Sequence, residues 1–211
     1  NRKHVHGMMK KYNINLSISG ILITTVIIIM GLFFYSCENT ITNISDINYG
    51  VVINEINYWS SDIFNPEDWV ELYNPTNETI IISLWKFKDE NDNNIFTIPA
   101  DQILSAGQYL VLCEDTIAFK EAFQDDLQNV GNFVGDFGFG LTSEGDQVRL
   151  FDSNGNLVDK VEYDNTWPTG PVGTWLTIEL IDPSLNNALG GNWVACSGNG
   201  TPGRRNSVCN D

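Results

Sequence analysis

The chain has 211 residues, with 27 Asp and Glu against 11 Lys and Arg, for a formal net charge of −16. That length holds one domain of ordinary size plus an appendage, and 42% hydrophobic with 11% aromatic residues supports a packed core rather than a disordered chain. Such acidity repels phosphate backbones, so a nucleic-acid partner is not expected, and a solvated exported surface accounts for the acids most simply.

Charge is unevenly placed. Arg2, Lys3, Lys10 and Lys11 precede the first acid, Glu38, so the remainder carries 27 acidic against seven basic residues, a net of −20. Ile14 to Ser36 has no charged side chain and contains VIIIMGLFF. A basic flank, an apolar run, the small Ser36 and then Cys37 resemble a bacterial lipoprotein export signal, with Cys37 as the acylated residue. Phe34 and Tyr35 are bulkier than such signals carry, and the apolar run exceeds the ~7–15 residues of a usual signal core. At ~20 residues it is also long enough for an uncleaved single-pass anchor. Either way the basic end is expected to stay cytoplasmic and the acidic part to be exported to the cell envelope or surface, held at the membrane. The first residue is Asn1 rather than Met. Met8 or Met9 is the expected start, unless the sequence is a piece of a longer one.

Residues 1–37 are therefore read as signal or anchor, 38–50 (with ENTITNISDINY) as a polar tether, and 51–208 as the folded domain. In chain order the expected strands are VVINEINYW, then DWVELYN, where Val70 and Leu72 alternate with Trp69, Glu71 and Tyr73. Asn74-Pro75 stops the second strand, since proline offers no ladder donor. TIIISLWKFKD from Thr79 to Asp89 is a third strand, ENDNN a turn, NIFTIP a fourth strand, and Tyr109 to Cys113 a buried fifth. Thr116 to Phe123 is the one helix, capped by Asp115, with Ile117, Ala118, Phe119, Ala122 and Phe123 as its apolar face. The Gly/Phe-rich stretch Asn132 to Gly140 reads as a loop or irregular edge. QVRLFD and LVDKVEYD form a hairpin, for which Asn154-Gly155 suits a tight primed turn. Trp175 to Ile181 is a last strand before a Gly/Asn/Pro-rich tail. Many short strands with frequent turns indicate an all-β sandwich.

Taken together, INEI (Ile53 to Ile56), DWVELYNPT, SLWKFKD, IPADQILSAGQYLVL, GFGLTSEGDQVRLFDSNGNLVDKVEY and a closing Trp193 with GTPGRRN resemble the lamin tail domain of bacterial exported proteins. The resemblance spans Val51 to Ser207. It implies an immunoglobulin-like β-sandwich, enlarged here by the helix and the Gly/Phe loop, with no catalytic centre of its own. It further implies a binding or structural role at the cell surface, toward a protein or glycan partner. Such domains also occur beside hydrolase, nuclease or kinase-like modules, so an accessory domain of a longer surface enzyme is an alternative. A carbohydrate-binding module is another.

Candidate chemistry is sparse. His4 and His6 are the only histidines and precede the apolar run, which excludes a Ser-His-Asp or Cys-His site and a His-ligated zinc from the rest. Glu71 sits inside an apolar strand, yet sequence spacing offers it no acid partner. Calcium is the one cofactor with any support. DENDNN places Asp89, Asn91 and Asn93 at alternating positions, but the loop lacks an EF-hand's glycine and distal Glu, and a hairpin turn explains the same residues. Trp59 and Trp167 lie in loop-like sequence and are the candidate ligand contacts, whereas Trp85 and Trp193 are expected in the core. Cys196 and Cys209 flank a Gly-rich loop and are a candidate disulfide; Cys113 reads as a buried small hydrophobe. Arg204 and Arg205 are expected to pair with the domain's own carboxylates.

Overall fold

The computed structural model describes residues 50–60, 63–168, 176–197 and 199–207. Within them are twelve strands: β1 (Val52–Asn57), β2 (Trp69–Tyr73), β3 (Ile80–Ile81), β4 (Lys86–Lys88), β5 (Phe96–Thr97), β6 (Ile103–Leu104), β7 (Tyr109–Cys113), β8 (Phe133–Gly135), β9 (Gly145–Phe151), β10 (Leu157–Asp164), β11 (Leu176–Leu180) and β12 (Trp193–Ser197). Two short helices, α1 (Thr116–Ala122) and α2 (Leu127–Val130), lie between β7 and β8. The strands form a six-stranded sheet in the order β12-β11-β1-β2-β7-β8, a four-stranded sheet β10-β9-β4-β5, and a separate β3-β6 pair. All ladders are antiparallel except β7 with β8. No helix among the described residues is long and apolar enough to cross a membrane.

Strand periodicity places the core. Ile53, Ile56, Val70, Leu72, Leu110, Leu112, Ile178 and Leu180 of the larger sheet share one buried cluster with Phe87, Val148, Leu150 and Val161 of the smaller. The two sheets are thus layers of a sandwich that face each other through the alternate residues of each strand. Asp159 of the edge strand β10 ties its sheet to the interior strand β1 of the other layer. Its Oδ2 accepts the Ile53 amide at 2.7 Å and the Asn187 side-chain amide at 2.7 Å. Ile53 needs that acceptor because the β1–β2 register shifts between Ile53 and Glu55.

DWVELYN turns out to be buried on both faces rather than one: Trp69 and Glu71 are as buried as Val70 and Leu72. The reverse face around Trp69 is covered by α1 and α2. Asp115 caps α1 as expected, its Oδ1 accepting the amides of Ile117 at 2.8 Å and Ala118 at 3.0 Å. Phe119 and Phe123 then meet Trp69 edge-on at 6.0 and 6.2 Å in a second core with Val111, Cys113 and Val130. Ile117 does not join them and is largely exposed, because positions 119 and 123 share a helical face that 117 does not.

Two further expectations are corrected. Thr79 to Asp89 is not one strand. A turn closed by the Trp85 amide on the Ile82 carbonyl separates β3 from β4, with Leu84 at φ 62°. The break lets Ile82 and Trp85 both reach the core while the chain passes from the β3-β6 pair to the four-stranded sheet. The β9–β10 connection is not a two-residue primed turn. Asp152 N–H donates to the Asn156 carbonyl and Gly155 N–H to that of Asp152, so Ser153, Asn154 and Gly155 form the loop and only Gly155 has positive φ, at 88°. The Asn132 to Gly140 stretch lies at the sheet edge, as the sequence reading allowed, with β8 inside it, and the Gly-rich tail contains β12.

Phe87→Ala should cost about 3–5 kcal/mol by denaturant unfolding, since it empties the centre of the shared core. Gly155→Ala should cost only about 1 kcal/mol, because nothing stands within 4 Å of the added Cβ and backbone strain alone opposes it.

Candidate functional site

The main cluster of buried ionisable groups lies on the reverse face of the six-stranded sheet. Glu71 of β2 stands opposite Glu55 of β1, and Glu55 opposite Glu179 of β11. Residues directly opposite in a ladder project from the same face with Cβ atoms ~4.5–5.5 Å apart, so the three carboxyls form one row. All three are at most 1% exposed.

The row is roofed by residues 199–207, which run back over the sheet as a strap. Glu55 Oε1 accepts the Thr201 amide at 2.9 Å, and its Oε2 faces the Thr201 hydroxyl at 3.1 Å. The Gly203 amide donates to Glu71 Oε2 at 2.6 Å, and the Asn54 side-chain amide to Glu71 Oε1 at 2.8 Å. Ser207 Oγ lies 3.1 and 2.9 Å from the two Glu179 oxygens. Asn206 locks the end of the strap, its amide nitrogen donating to the Asn54 carbonyl at 3.0 Å and the Leu180 carbonyl at 2.8 Å. Gly203 is required where it is. At φ 81°, a Cβ would meet the Val130 carbonyl oxygen at 2.1 Å.

Among the described residues, no ion pair reaches Glu55 or Glu71. Two ionised carboxylates side by side in a dry interlayer are costly, so the protonated forms are favoured. Burial pushes the Glu55 carboxyl up to about 8, reinforced by the charge of Glu179 and opposed by the Thr201 amide. Burial likewise raises Glu71 well above the ordinary carboxylate range, with Glu55 adding to the effect. Asp68, where the chain enters β2, is pushed up to about 7 by burial although its Oδ2 accepts the Leu141 amide.

Sequence spacing offered Glu71 no acid partner, and the fold corrects this with two. The missed signal is chemical rather than positional: INEIN, WVELY and LTIEL each carry one Glu in the middle of an otherwise apolar or amide-bearing strand. The other candidates are dispersed. Trp59 is 44% exposed. Trp167 is partly buried, its ring 6.0 Å from that of Trp193 and packed closely against Gly190. Asp89 Oδ1 accepts the Asn91 amide, Asp89 Oδ2 accepts the Asn94 side-chain amide, and Asn91 Oδ1 accepts the Asn93 amide, so Asp89, Asn91 and Asn93 lie together in one turn. Arg204 pairs with Asp126 at 2.5 Å. Trp85 and Trp193 are in the core, and Cys113 is a buried free thiol raised by desolvation. Cys196 is disulfide-bonded. Its expected partner Cys209, and the acylation candidate Cys37, lie outside the described residues.

A carboxyl whose folded-state pKa is raised binds its proton more tightly when folded. Its stabilising contribution is full below the unfolded value of 4.5, declines as pH rises, and is gone above about 8 for Glu55. Asp136, held below its usual range by the Thr116 amide, acts oppositely and loses its contribution at low pH. The melting temperature should therefore fall between pH 5 and pH 9, at the ends of a window set by ~4.5 and ~8. Glu55→Gln should flatten that fall, and an unchanged alkaline slope in this variant would exclude the row as its source. Gly203→Ala should cost at least about 2 kcal/mol and expose the strap to proteolysis.

A profile of the lamin tail domain matches residues 48–165, the stretch from β1 to β10 that holds Glu55 and Glu71. The match stops before β11, β12 and the strap. No curated protein matches the chain. With the match covering more than half of the sequence and the two-layer, immunoglobulin-like β-sandwich in place, the chain belongs to the lamin tail domain family.

Proposed function

We propose that the chain is a non-catalytic binding and structural module held at the cell envelope by its first 37 residues. The observation that carries this reading is the sealing of Glu55, Glu71 and Glu179. These carboxyls are the groups best suited to acid–base chemistry, and strap and sheet cover them so completely that no substrate atom can approach. They act as a lock on the fold. The family is a non-enzymatic, immunoglobulin-like one, which agrees with that role. Support for the tether comes from the absence of acid before Glu38, the uncharged run Ile14 to Ser36, and Cys37 directly behind it.

Metabolic labelling with an alkynyl fatty acid tests the tether. The wild-type chain should carry label and fractionate with membranes, and Cys37→Ser should lose the label. An unlabelled wild-type chain that still contains Ile14 to Ser36 would replace acylation with an uncleaved anchor. A chain lacking both lipid and that segment, and found in the soluble fraction, would refute the tether altogether.

A further inference from the structure

The seven basic residues that follow Glu38 are not scattered. Lys86, Lys88, Arg149 and Lys160 all stand on the outer face of the four-stranded sheet, because their strand neighbours Phe87, Val148, Leu150 and Val161 fill the core. Lys160 is directly opposite Arg149, and Arg149 directly opposite Lys88, so three cations lie side by side across β10, β9 and β4. Lys86 follows in the next outward row, opposite Phe151. Like charges directly opposite destabilise a ladder. Three of the seven cations nevertheless share one line in a region with 27 acids.

The row is also pre-arranged. The Lys88 ammonium and the Arg149 guanidinium lie 5.4 and 5.9 Å from the Phe151 ring centre. Arg149 is steadied further by the Asp89 carbonyl, which accepts its Nε at 2.8 Å. Two carboxylates answer the four cations. Asp92 contacts Arg149 at 3.0 Å and Lys88 at 3.7 Å, and Glu162 contacts Lys160 at 2.6 Å. The Asp92 and Glu162 side chains are 79% and 61% exposed, whereas those of Lys88, Arg149 and Lys160 are only 18%, 15% and 35% exposed, so the carboxylates are the loosely held half of each pair and the half that a ligand carboxylate would displace. Among the described residues Lys86 makes no ion pair.

From this geometry we infer that the outer face of the four-stranded sheet binds a carboxylated polysaccharide, a polyuronate, laid across the strands along Lys160, Arg149 and Lys88. Charge complementarity selects an anion, since this is a positive strip on an otherwise strongly acidic domain. Linearity selects a polymer. Neighbouring strands are ~4.8 Å apart, close to the rise of one sugar in an extended chain, so Lys160 and Lys88, two strands apart, can meet the carboxylates of alternate sugars, which project from the same side of such a chain. The inference names the partner of the binding role proposed above and rests on that role.

Affinity electrophoresis of the full chain in non-ionic detergent, through gels containing polygalacturonate or neutral dextran, tests it. Polygalacturonate should retard the chain, dextran should not, and added salt should abolish the retardation. Lys88→Gln combined with Lys160→Gln should weaken binding at least about tenfold with an unchanged melting temperature, whereas Lys120→Gln on α1 should bind as wild type. Absence of retardation, retardation indifferent to the double substitution, or equal retardation by a single-stranded oligonucleotide would each overturn the inference. So would self-association that the same substitutions abolish without any polygalacturonate binding, which would make a second copy the occupant. Loss of envelope attachment with polygalacturonate binding intact would overturn the tether and leave this face assigned.

Discussion

Everything on the reverse face of the six-stranded sheet follows from burying Glu55, Glu71 and Glu179 in one row. Carboxyls there need either water or a complete set of donors, and residues 199–207 provide the donors. A main-chain amide from Thr201, another from Gly203, and the hydroxyls of Thr201 and Ser207 replace the hydration that the sheet has lost. The strap in turn depends on the row, since most of its anchoring bonds end there. Neither half would hold alone. Protonation of Glu55 and Glu71 reconciles them, because neutral carboxyls can lie side by side where carboxylates would repel.

The same constraint explains why the sandwich has covers at all. The two-layer core would be complete with the reverse face in water, as many antiparallel sheets leave it. Here Trp69, Val111 and Cys113 extend the apolar surface beyond the glutamates, and Phe119, Phe123 and Val130 of the helical insert close over them. The strap and the insert also meet each other, through Gly203 against the Val130 carbonyl and Arg204 with Asp126. Burying both faces leaves the outer side of the four-stranded sheet as the open face of the sandwich, and four of the domain's seven cations are collected there.

Period-two patterns and turn residues made most of this fold legible in the sequence. Val70 and Leu72 pointed to the core, Asp115 to a helix start, and Asn154-Gly155 to a hairpin, and each stands where the pattern put it. What was not legible depends on contacts between distant segments. Glu71 looked like a solvated residue of a half-buried strand because its partners are Glu55 and Glu179, and its cover comes from residue 203. The Gly/Asn/Pro-rich tail carried no strand signal because β12 and the strap take their stability from side chains far away rather than from local propensity. Ile80-Ile81 ran on into Lys86 as one β-branched stretch, and the turn that lets both Ile82 and Trp85 reach the core breaks it. The cationic row was invisible for a similar reason: Lys88, Arg149 and Lys160 are far apart in sequence and become neighbours only through register. Trp167, which composition placed in a loop, is drawn inward by Trp193.

The central claim is that Glu55 and Glu71 are held neutral beneath the strap. Carbon-13 NMR of the side-chain carboxyls, followed through a pH titration of the folded protein, reads this directly. Glu55 is expected to titrate with a midpoint of about 8, and Glu71 well above the ordinary carboxylate range. If both instead titrate near the ordinary value of 4.5, the carboxyls are ionised at neutral pH and the strap is not the lock described above.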